Sequence, residues 1–454
     1  MQEIQGSSIL ILGYGREGKS THRYLLSRYP DLKVGIADRK AVSDPIDPAA
    51  RVHSGEAHLS SIAQYDTIVR SPGIPLRLPE IQGAIAAGKQ VTSATNLFLA
   101  ERKGTIVGIT GTKGKSTTSS LIFAILQQKY TDVRLVGNIG KPALDYLPSA
   151  DENTIFVFEL SSYQLADARC SPQVSVFLNL APEHLDYHGG FADYAQAKEN
   201  ILRHQTPEDV AVFSPARSEV AEIAARYPAQ KICFSLNKAE NCRCYTKDGS
   251  IFVHLNDGTI QPLMSLDESP LLGQGNVENV LAAIAVGLHF QVPLASIQQA
   301  IQTFKPLKHR LEPIGEYRGI RFYNDSIATI PAAAINAIEA FGNDVQTLIA
   351  GGLDRGVDFT EFGVFLVNKQ IETLILFPDT GEKIWQAVCK ATATDGFRPK
   401  KYDVTSMEEA VRIAFETSSP GKVCLLSPAA SSYSVFRSFE DRGNQFRKFV
   451  QALA

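Results

Sequence analysis

The sequence predicts an α/β protein of three domains. A Rossmann-like N-terminal unit would span 1–95, a central P-loop-type, mostly parallel sheet with helices 96–305, and a Rossmann-like C-terminal unit 306–454. A chain of 454 residues exceeds what one hydrophobic core organises and divides into about three domains. Short β-branched apolar runs alternate with helical stretches, the pattern of βα units and parallel sheets. Many of these runs end in glycine turns or polar residues, where open parallel sheets bind ligands.

Composition narrows the function classes. A hydrophobic content of 44% supports compact folding throughout, and a formal net charge of −3 supplies no basic field for nucleic acid. The expected partners are small molecules, with no nucleic acid. No apolar segment approaches the about 20 residues that cross a bilayer, and the N-terminus enters a strand by Ser8 without a basic-then-apolar leader. A cytoplasmic protein without membrane insertion, and a monomer, is the expectation. The cysteines 170, 233, 242, 244, 389 and 424 are scattered, and Cys242-x-Cys244 lacks the second pair of a zinc site, so they read as reduced thiols.

In the first unit, strands are expected at 8–12, 34–37 and 67–70. The first leads into Gly13-Tyr-Gly-Arg-Glu-Gly18, a G-x-G-x-x-G fingerprint, and Asp38 closes the next strand twenty residues beyond Gly18, a spacing suited to a ribose hydroxyl acceptor. Gly13 to Ser20 also satisfies the strict G-x-x-x-x-G-K-[ST] spacing. We read this loop as a nucleotide-diphosphate site, with Ser71 and Gly73 in the turn after the third strand.

Residues 105–120 run from a β-branched strand through Gly111-Thr-Lys-Gly114 into a helix that begins near Lys115. The glycines let backbone N–H groups curl inward, and the helix adds the positive end of its dipole, so polyphosphate is the natural occupant. Lys115 would reach the β- and γ-phosphates, and Ser116 or Thr117 would ligate Mg²⁺. This second loop is the expected ATP site, because it alone is followed by an acidic strand end. That end is Glu159, a carboxylate for a hard cation. The runs at 106–109, 133–136, 155–158 and 174–178 lead to Thr112 and Lys115, Asn138, Glu159, and Asn179 with His184 beyond. An open parallel sheet would set these ends along one crevice. His184 would ligate a second metal or contact substrate. Lys198, on a helix expected over 191–202, reads by itself as a solvated lysine.

Farther on, Asn276 is the expected N-cap of a helix whose apolar positions Val277, Leu281, Ile284 and Leu288 keep the 3.6 period. A cationic hinge follows, Lys305, Lys308, His309 and Arg310, placed to clamp a nucleotide on domain closure. In the last unit, strands at 347–350, 373–377 and 423–426 carry polar loops, and a small anionic substrate would fit Arg355, the Ser432 hydroxyl and nearby amides. Residues 436–453 read as an amphipathic packing helix.

Taken together, Gly-Thr-Lys-Gly-Lys-Ser-Thr (111–117), Glu-Leu-Ser-Ser-Tyr-Gln-Leu (159–165), Glu-His-Leu-Asp-Tyr-His-Gly (183–189), His-Arg-Leu-Glu (309–312), Asn-Asp-Ser-Ile-Ala-Thr (324–329) and Leu-Leu-Ser-Pro-Ala-Ala-Ser-Ser-Tyr (425–433) resemble the Mur ligases over essentially the whole chain, as does Phe-Glu-Asp-Arg-Gly (439–443). The resemblance implies ATP-driven amide formation through an acyl phosphate, joining D-glutamate to UDP-N-acetylmuramoyl-L-alanine in peptidoglycan precursor synthesis. It implies that Gly111, Thr112, Lys113, Gly114, Lys115, Ser116 and Thr117 serve ATP, with Asn276, Arg310 and Asp325 on adenine, phosphate and ribose. Two Mg²⁺ sites are implied, one with Ser116 and Glu159 and one with Glu159, His184 and a carbamylated Lys198. Lys115, Glu159, His184 and Lys198 form the catalytic set. Gly13, Gly15, Arg16, Gly18, Asp38, Arg39, Ser71, Gly73 and Asn138 would bind the UDP-sugar. Thr329, Arg355, Ser432 and the backbone at Phe439 would hold D-glutamate. Ile327 and Arg355 stand where lysine is frequent in that family. A sister ligase adding another amino acid is the nearest alternative. A nicotinamide-dependent dehydrogenase would leave the second glycine loop and Glu159 without a task, and a non-catalytic nucleotide sensor is a third reading.

Overall fold

A computed structural model describes residues 3–101, 103–239, 241–392 and 396–454. The first sheet comprises β1 (Ser8–Leu12), β2 (Lys33–Asp38), β3 (Arg51–Ser54), β4 (Thr67–Arg70) and β5 (Gln90–Ser93), all parallel, in the order β3-β2-β1-β4-β5. Ile9 to Leu12 are fully buried in succession, because helices cover both faces of a parallel sheet and no solvent side calls for a polar alternate. The strand order reverses between β1 and β4, so the loops leaving them meet at a switch point.

The second sheet comprises β6 (Thr105–Thr110), β7 (Val133–Gly137), β8 (Ile155–Glu159), β9 (Val174–Phe177), β10 (Val210–Phe213), β11 (Gln230–Ser235), β12 (Cys244–Lys247), β13 (Ser250–His254) and β14 (Ile260–Ser265). Its order is β14-β13-β12-β11-β10-β9-β6-β8-β7, parallel from β7 to β12 and antiparallel beyond. The β12–β13 hairpin turns on Asp248-Gly249, both at positive φ (50° and 74°), the pair whose backbone twist matches that of the flanking strands.

The third sheet comprises β15 (Glu312–Tyr317), β16 (Ile320–Asn324), β17 (Val345–Gly351), β18 (Thr373–Phe377), β19 (Lys400–Asp403) and β20 (Val423–Leu426), ordered β15-β16-β20-β17-β18-β19. It is parallel except for the β15–β16 hairpin. By packing, the described residues gather into two compact units. One runs to Glu268 and takes up Glu278–Thr303; the other is Ser269–Val277 with Phe304–Ala454. No helix among the described residues is long and apolar enough to cross a membrane.

Two helix starts differ from expectation. Asn276 is not an N-cap: the helix Gln274–His289 begins two residues earlier, because Gly273 at φ 88° turns the chain so that its carbonyl accepts from the amides of Asn276 (2.9 Å) and Val277 (3.2 Å). The last helix is Phe439–Leu453, three residues shorter than expected, because Ser438 Oγ caps it by accepting from Asp441 N at 3.2 Å.

Candidate active site

β9, β6, β8 and β7 are neighbours, so the ends that carry Asn179, the 111–117 loop, Glu159 and Asn138 lie in one row. The loop leaves β6 through Gly111 (φ 154°) and Gly114 (φ 88°) into the helix Lys115–Leu126. A Cβ on Gly114 would stand 2.2 Å from Asn279 Oδ1, so the loop closes only with glycine there. The base of the loop is braced: Thr112 N donates to Asn179 O (3.0 Å), Ala181 N donates to Thr112 Oγ1 (2.9 Å), and Lys113 N donates to Asn179 Oδ1 (2.9 Å). Lys113 Nζ reaches Glu183 at 2.6 Å. Lys115 folds back to donate to the carbonyls of Gly111 (2.8 Å) and Thr112 (2.9 Å), a cation held at the mouth of the loop. Ser116 and Thr117 are buried in the first turn of the helix.

Glu159 is fully buried beside this loop. Its Oε1 accepts from Asn138 Nδ2 at 2.8 Å, while Oε2 has no hydrogen-bond partner among the described residues. A buried carboxylate oxygen without a donor is costly, and such an oxygen is chemically suited to ligate a hard cation. His184 stands in the left-handed region (φ 55°), its ring centroid 5.0 Å from that of Tyr163. Burial first, then the Lys115 ammonium, holds its imidazole below the ordinary value, in the neutral form that ligates metals.

Lys198 corrects the sequence reading of a solvated side chain. It is 1% exposed, donates to Gly111 O at 2.8 Å and lies 5.0 Å from the Tyr194 ring centroid. The helix Phe191–Arg203 turns Tyr194, Ala197, Lys198 and Ile201 to the protein together, so helical spacing itself carried the signal. Burial, aided by the Lys115 charge, pushes the amine well below the usual lysine value.

The first glycine loop is built differently. Gly18 approaches Gly13 so closely that a Cβ there would lie 2.1 Å from the Gly13 carbonyl, and Ser71 Oγ donates to that carbonyl at 2.8 Å. Ser20, the hydroxyl of the strict spacing match, is fully buried and donates to Asp145 at 2.9 Å. Asp38 accepts from the amides of Tyr14 (2.7 Å) and Lys40 (2.8 Å), closing the turn. Arg16 is drawn to the carbonyls of Gly137 (2.7 Å) and Gly140 (3.2 Å), and exposed Arg39 to Glu56 at 3.3 Å. Gly15 and Gly73 face open space.

In the second unit, Asp325 is buried, accepting from Leu311 N (3.2 Å) and Ser427 Oγ (2.9 Å), and burial raises its carboxyl to about 7. His309 does not join a cationic hinge: it is 5% exposed and its ring faces Asn324 Nδ2 at 3.0 Å, while Arg310 is half-buried. Asn276 lies in this unit too, its Nδ2 donating to Leu272 O at 2.8 Å. A cavity of about 90 Å³ takes in Thr329 and Arg355 with Leu353, Phe359 and Ser431. Ser432 is the buried residue after that wall, and the Phe439 carbonyl accepts from Ser326 Oγ at 2.8 Å. The sequence reading missed Arg442, fully buried, whose guanidinium donates to Ser326 O (2.8 Å) and Ala430 O (3.1 Å) and thereby ties two of these loops together.

Comparison with known proteins agrees with this arrangement. Residues 7–93 match the domain described as Mur ligase MurD-like, N-terminal domain; residues 109–287 match the Mur ligase middle domain, and 309–430 the Mur ligase, glutamate ligase domain. The chain is 36% identical to the UDP-N-acetylmuramoylalanine--D-glutamate ligase of Geobacillus kaustophilus, over 99% of this chain and 98% of that protein. It is 37% identical to the UDP-N-acetylmuramoyl-L-alanine--L-glutamate ligase of Salinispora tropica, over 100% of this chain and 99% of that one. Among solved structures, UDP-N-acetylmuramate-alanine ligase MurC of Thermotoga maritima shares the fold with a TM-score of 0.61 at 17% identity, over 98% of this chain and all of that one. MurF ligase of the same organism, in complex with ADP, does so with a TM-score of 0.59 at 17% identity, over 100% and 97%. With three successive domain matches and full-length relatives above 30% identity, the chain belongs to the Mur ligase family.

Proposed function

We propose that the protein is an ATP-dependent ligase that joins the terminal carboxylate of UDP-N-acetylmuramoyl-L-alanine to the amine of D-glutamate, in peptidoglycan precursor synthesis. The observation that carries the reading is the row of strand ends in which a phosphate loop with Lys115 stands beside the buried, half-satisfied carboxylate of Glu159. The domains divide the work at 1–95, 96–305 and 306–454: sugar nucleotide on the Gly13–Gly18 and 71–73 loops, ATP on the 111–117 loop, and amino acid in the Thr329–Arg355 cavity. Asn276, Arg310 and Asp325 complete the nucleotide contacts.

In the first step the substrate carboxylate oxygen attacks the γ-phosphorus and the bond to the β-phosphate oxygen breaks, giving acyl phosphate and ADP. Backbone amides of 111–117 hold the phosphates, and Lys115 swings from its loop carbonyls onto the transferring group, so that catalysis is positioning and charge neutralisation. In the second step the glutamate amine attacks the acyl carbon, loses a proton, and inorganic phosphate leaves from the tetrahedral intermediate. Ser116 and Glu159 would hold one Mg²⁺, and Glu159, His184 and Lys198 a second; the ions would neutralise phosphate charge. The depressed Lys198 amine is the form that adds carbon dioxide, releasing one proton and leaving a carbamate oxygen as ligand. Its present bond to Gly111 O would then be given up.

L-glutamate is the second reading, favoured by the similarity to the Salinispora relative. The test is phosphate release with ATP, Mg²⁺ and UDP-N-acetylmuramoyl-L-alanine across a panel of amino acids. Release dependent on D-glutamate supports the first reading, release dependent on L-glutamate the second, and no release with either overturns both.

A further inference from the structure

We propose that Arg70 is a positioning residue of this ligase: its buried guanidinium locks the loop after β4, part of the sugar-nucleotide seat, to the segments beside the phosphate site that carry Tyr163 and Tyr187. The inference rests on the function proposed above.

Arg70 ends β4, paired with Leu12 of β1 and Ser93 of β5, and its side chain is 0% exposed. A cation at a fully covered strand end is costly unless its donors are used. Those of Nη1 and Nη2 are used, on two sides. Nη1 donates to the carbonyls of Ile74 (2.6 Å) and Pro72 (3.2 Å) and to the Tyr187 hydroxyl (3.0 Å), so the 71–74 loop is wound around the guanidinium. Nη2 donates to Tyr163 O (3.2 Å) and Asp167 Oδ1 (2.9 Å), on the segment that follows Glu159. The Tyr187 hydroxyl in turn donates to Pro72 O at 2.6 Å, and Arg77 Nε donates to Tyr187 O at 3.0 Å.

The two sides have different tasks. Carbonyls of 71–74 face the guanidinium, while Ser71 Oγ reaches Gly13 of the fingerprint loop and Gly73 faces open space. The Tyr163 ring touches those of Tyr187 (4.0 Å between centroids) and His184 (5.0 Å), so the backbone that Arg70 grips is also the wall against which His184 stands. A planar fork reaches both segments; the single charged point of a lysine does not. Arg70 Nε and Asp167 Oδ2 are buried without a partner among the described residues, so a single hydrogen-bonded atom pair carries the ion pair.

The test compares wild type with Arg70→Lys and Tyr187→Phe, the latter keeping the ion pair and removing only the phenol bridge. Steady-state kinetics and hydrogen exchange are read on each. KM for the sugar nucleotide is expected to rise about tenfold in Arg70→Lys, the scale of one lost hydrogen bond to a charged group, with KM for ATP held within about twofold. Exchange protection should fall together in 71–78 and 185–189 while 111–117 is unchanged, and Tyr187→Phe should move in the same direction by less. Equal changes in both KM values, no change in either, or loosening of one segment alone would overturn the proposal. If wild type turns over none of the ligase substrates, the reaction reading fails separately, and joint loosening of the two segments still decides for or against the Arg70 lock.

Discussion

Asp325 is a carboxyl that folding has made reluctant to ionise, and its replacement by asparagine gives a prediction with a worked sign. Burial raises it from 3.8 to about 7, against the lowering effect of Ser427, the Leu311 amide and Arg310. The folded state therefore holds the proton more tightly than the unfolded chain, and the contribution is fully present below about pH 4 and lost as pH rises through about 7. At 1.36 kcal/mol per unit, a raise of about three units makes ionised Asp325 cost about 4 kcal/mol at pH 8. An asparagine side chain in its place would carry no charge but keep one acceptor oxygen for two donors, losing about 1 kcal/mol. Asp325→Asn should thus be more stable than wild type by about 3 kcal/mol at pH 8, by less than about 1 kcal/mol at pH 5, where only the unfolded chain has ionised, and less stable by about 1 kcal/mol below about pH 4, where both states of the wild type are protonated. Trp385, the single tryptophan, lies on the helix Thr380–Ala391 of the same unit, so urea unfolding followed by its fluorescence reports on that unit. Taking the difference between the two proteins removes other titrations. A difference that stays constant from pH 5 to pH 8 would refute the reasoning.

Other consequences concern the phosphate site. Lys198→Ala should lose most activity, with added bicarbonate restoring none; a fully active variant would remove the carbamate role. Asn138→Ala frees the Glu159 oxygen it orients and should weaken the Mg²⁺ dependence of turnover by about 10–100-fold, the effect of losing a residue behind a metal ligand. A titration curve unmoved along the Mg²⁺ axis would show that Asn138 does not orient the ligand. Gly114→Ala forces a Cβ against Asn279 at φ 88° and should cost about 1–3 kcal/mol of stability, together with ATP turnover, measured by denaturation and phosphate release.

Some of the fold was legible to the residue. β1, β4, β18 and β20 coincide with the strands expected from apolar runs, because a strand covered on both faces is apolar along its middle and polar or glycine residues mark its ends. β3 and β19 were missed because they are exposed or half-buried along their length and carry no such run. The β12–β14 extension was missed although Asp248-Gly249 is a strong hairpin signal between alternating residues. In the site, the crevice of polar strand ends was anticipated, since strand direction alone brings such ends together. Lys198 read by itself as solvated, and only the family resemblance assigned it to the site; its helical neighbours Tyr194, Ala197 and Ile201 carried the local signal of its burial.

What the sequence determined by itself is therefore the class of fold, the two glycine loops and the resemblance to the ligase family. Each depends on residues close in the chain or on their order: glycine conformational freedom, β-branched runs, helix starts. Only the tertiary structure decided which polar groups are used up and which are left over. Ser20 looks like a metal hydroxyl and is spent on Asp145, 125 residues away; Lys198 is buried against Gly111, 87 away; Arg70 is committed to Asp167, 97 away; and Glu159 keeps one oxygen without a donor. The cost of burying a charge depends on which partners arrive from distant elements, and no local pattern specifies them.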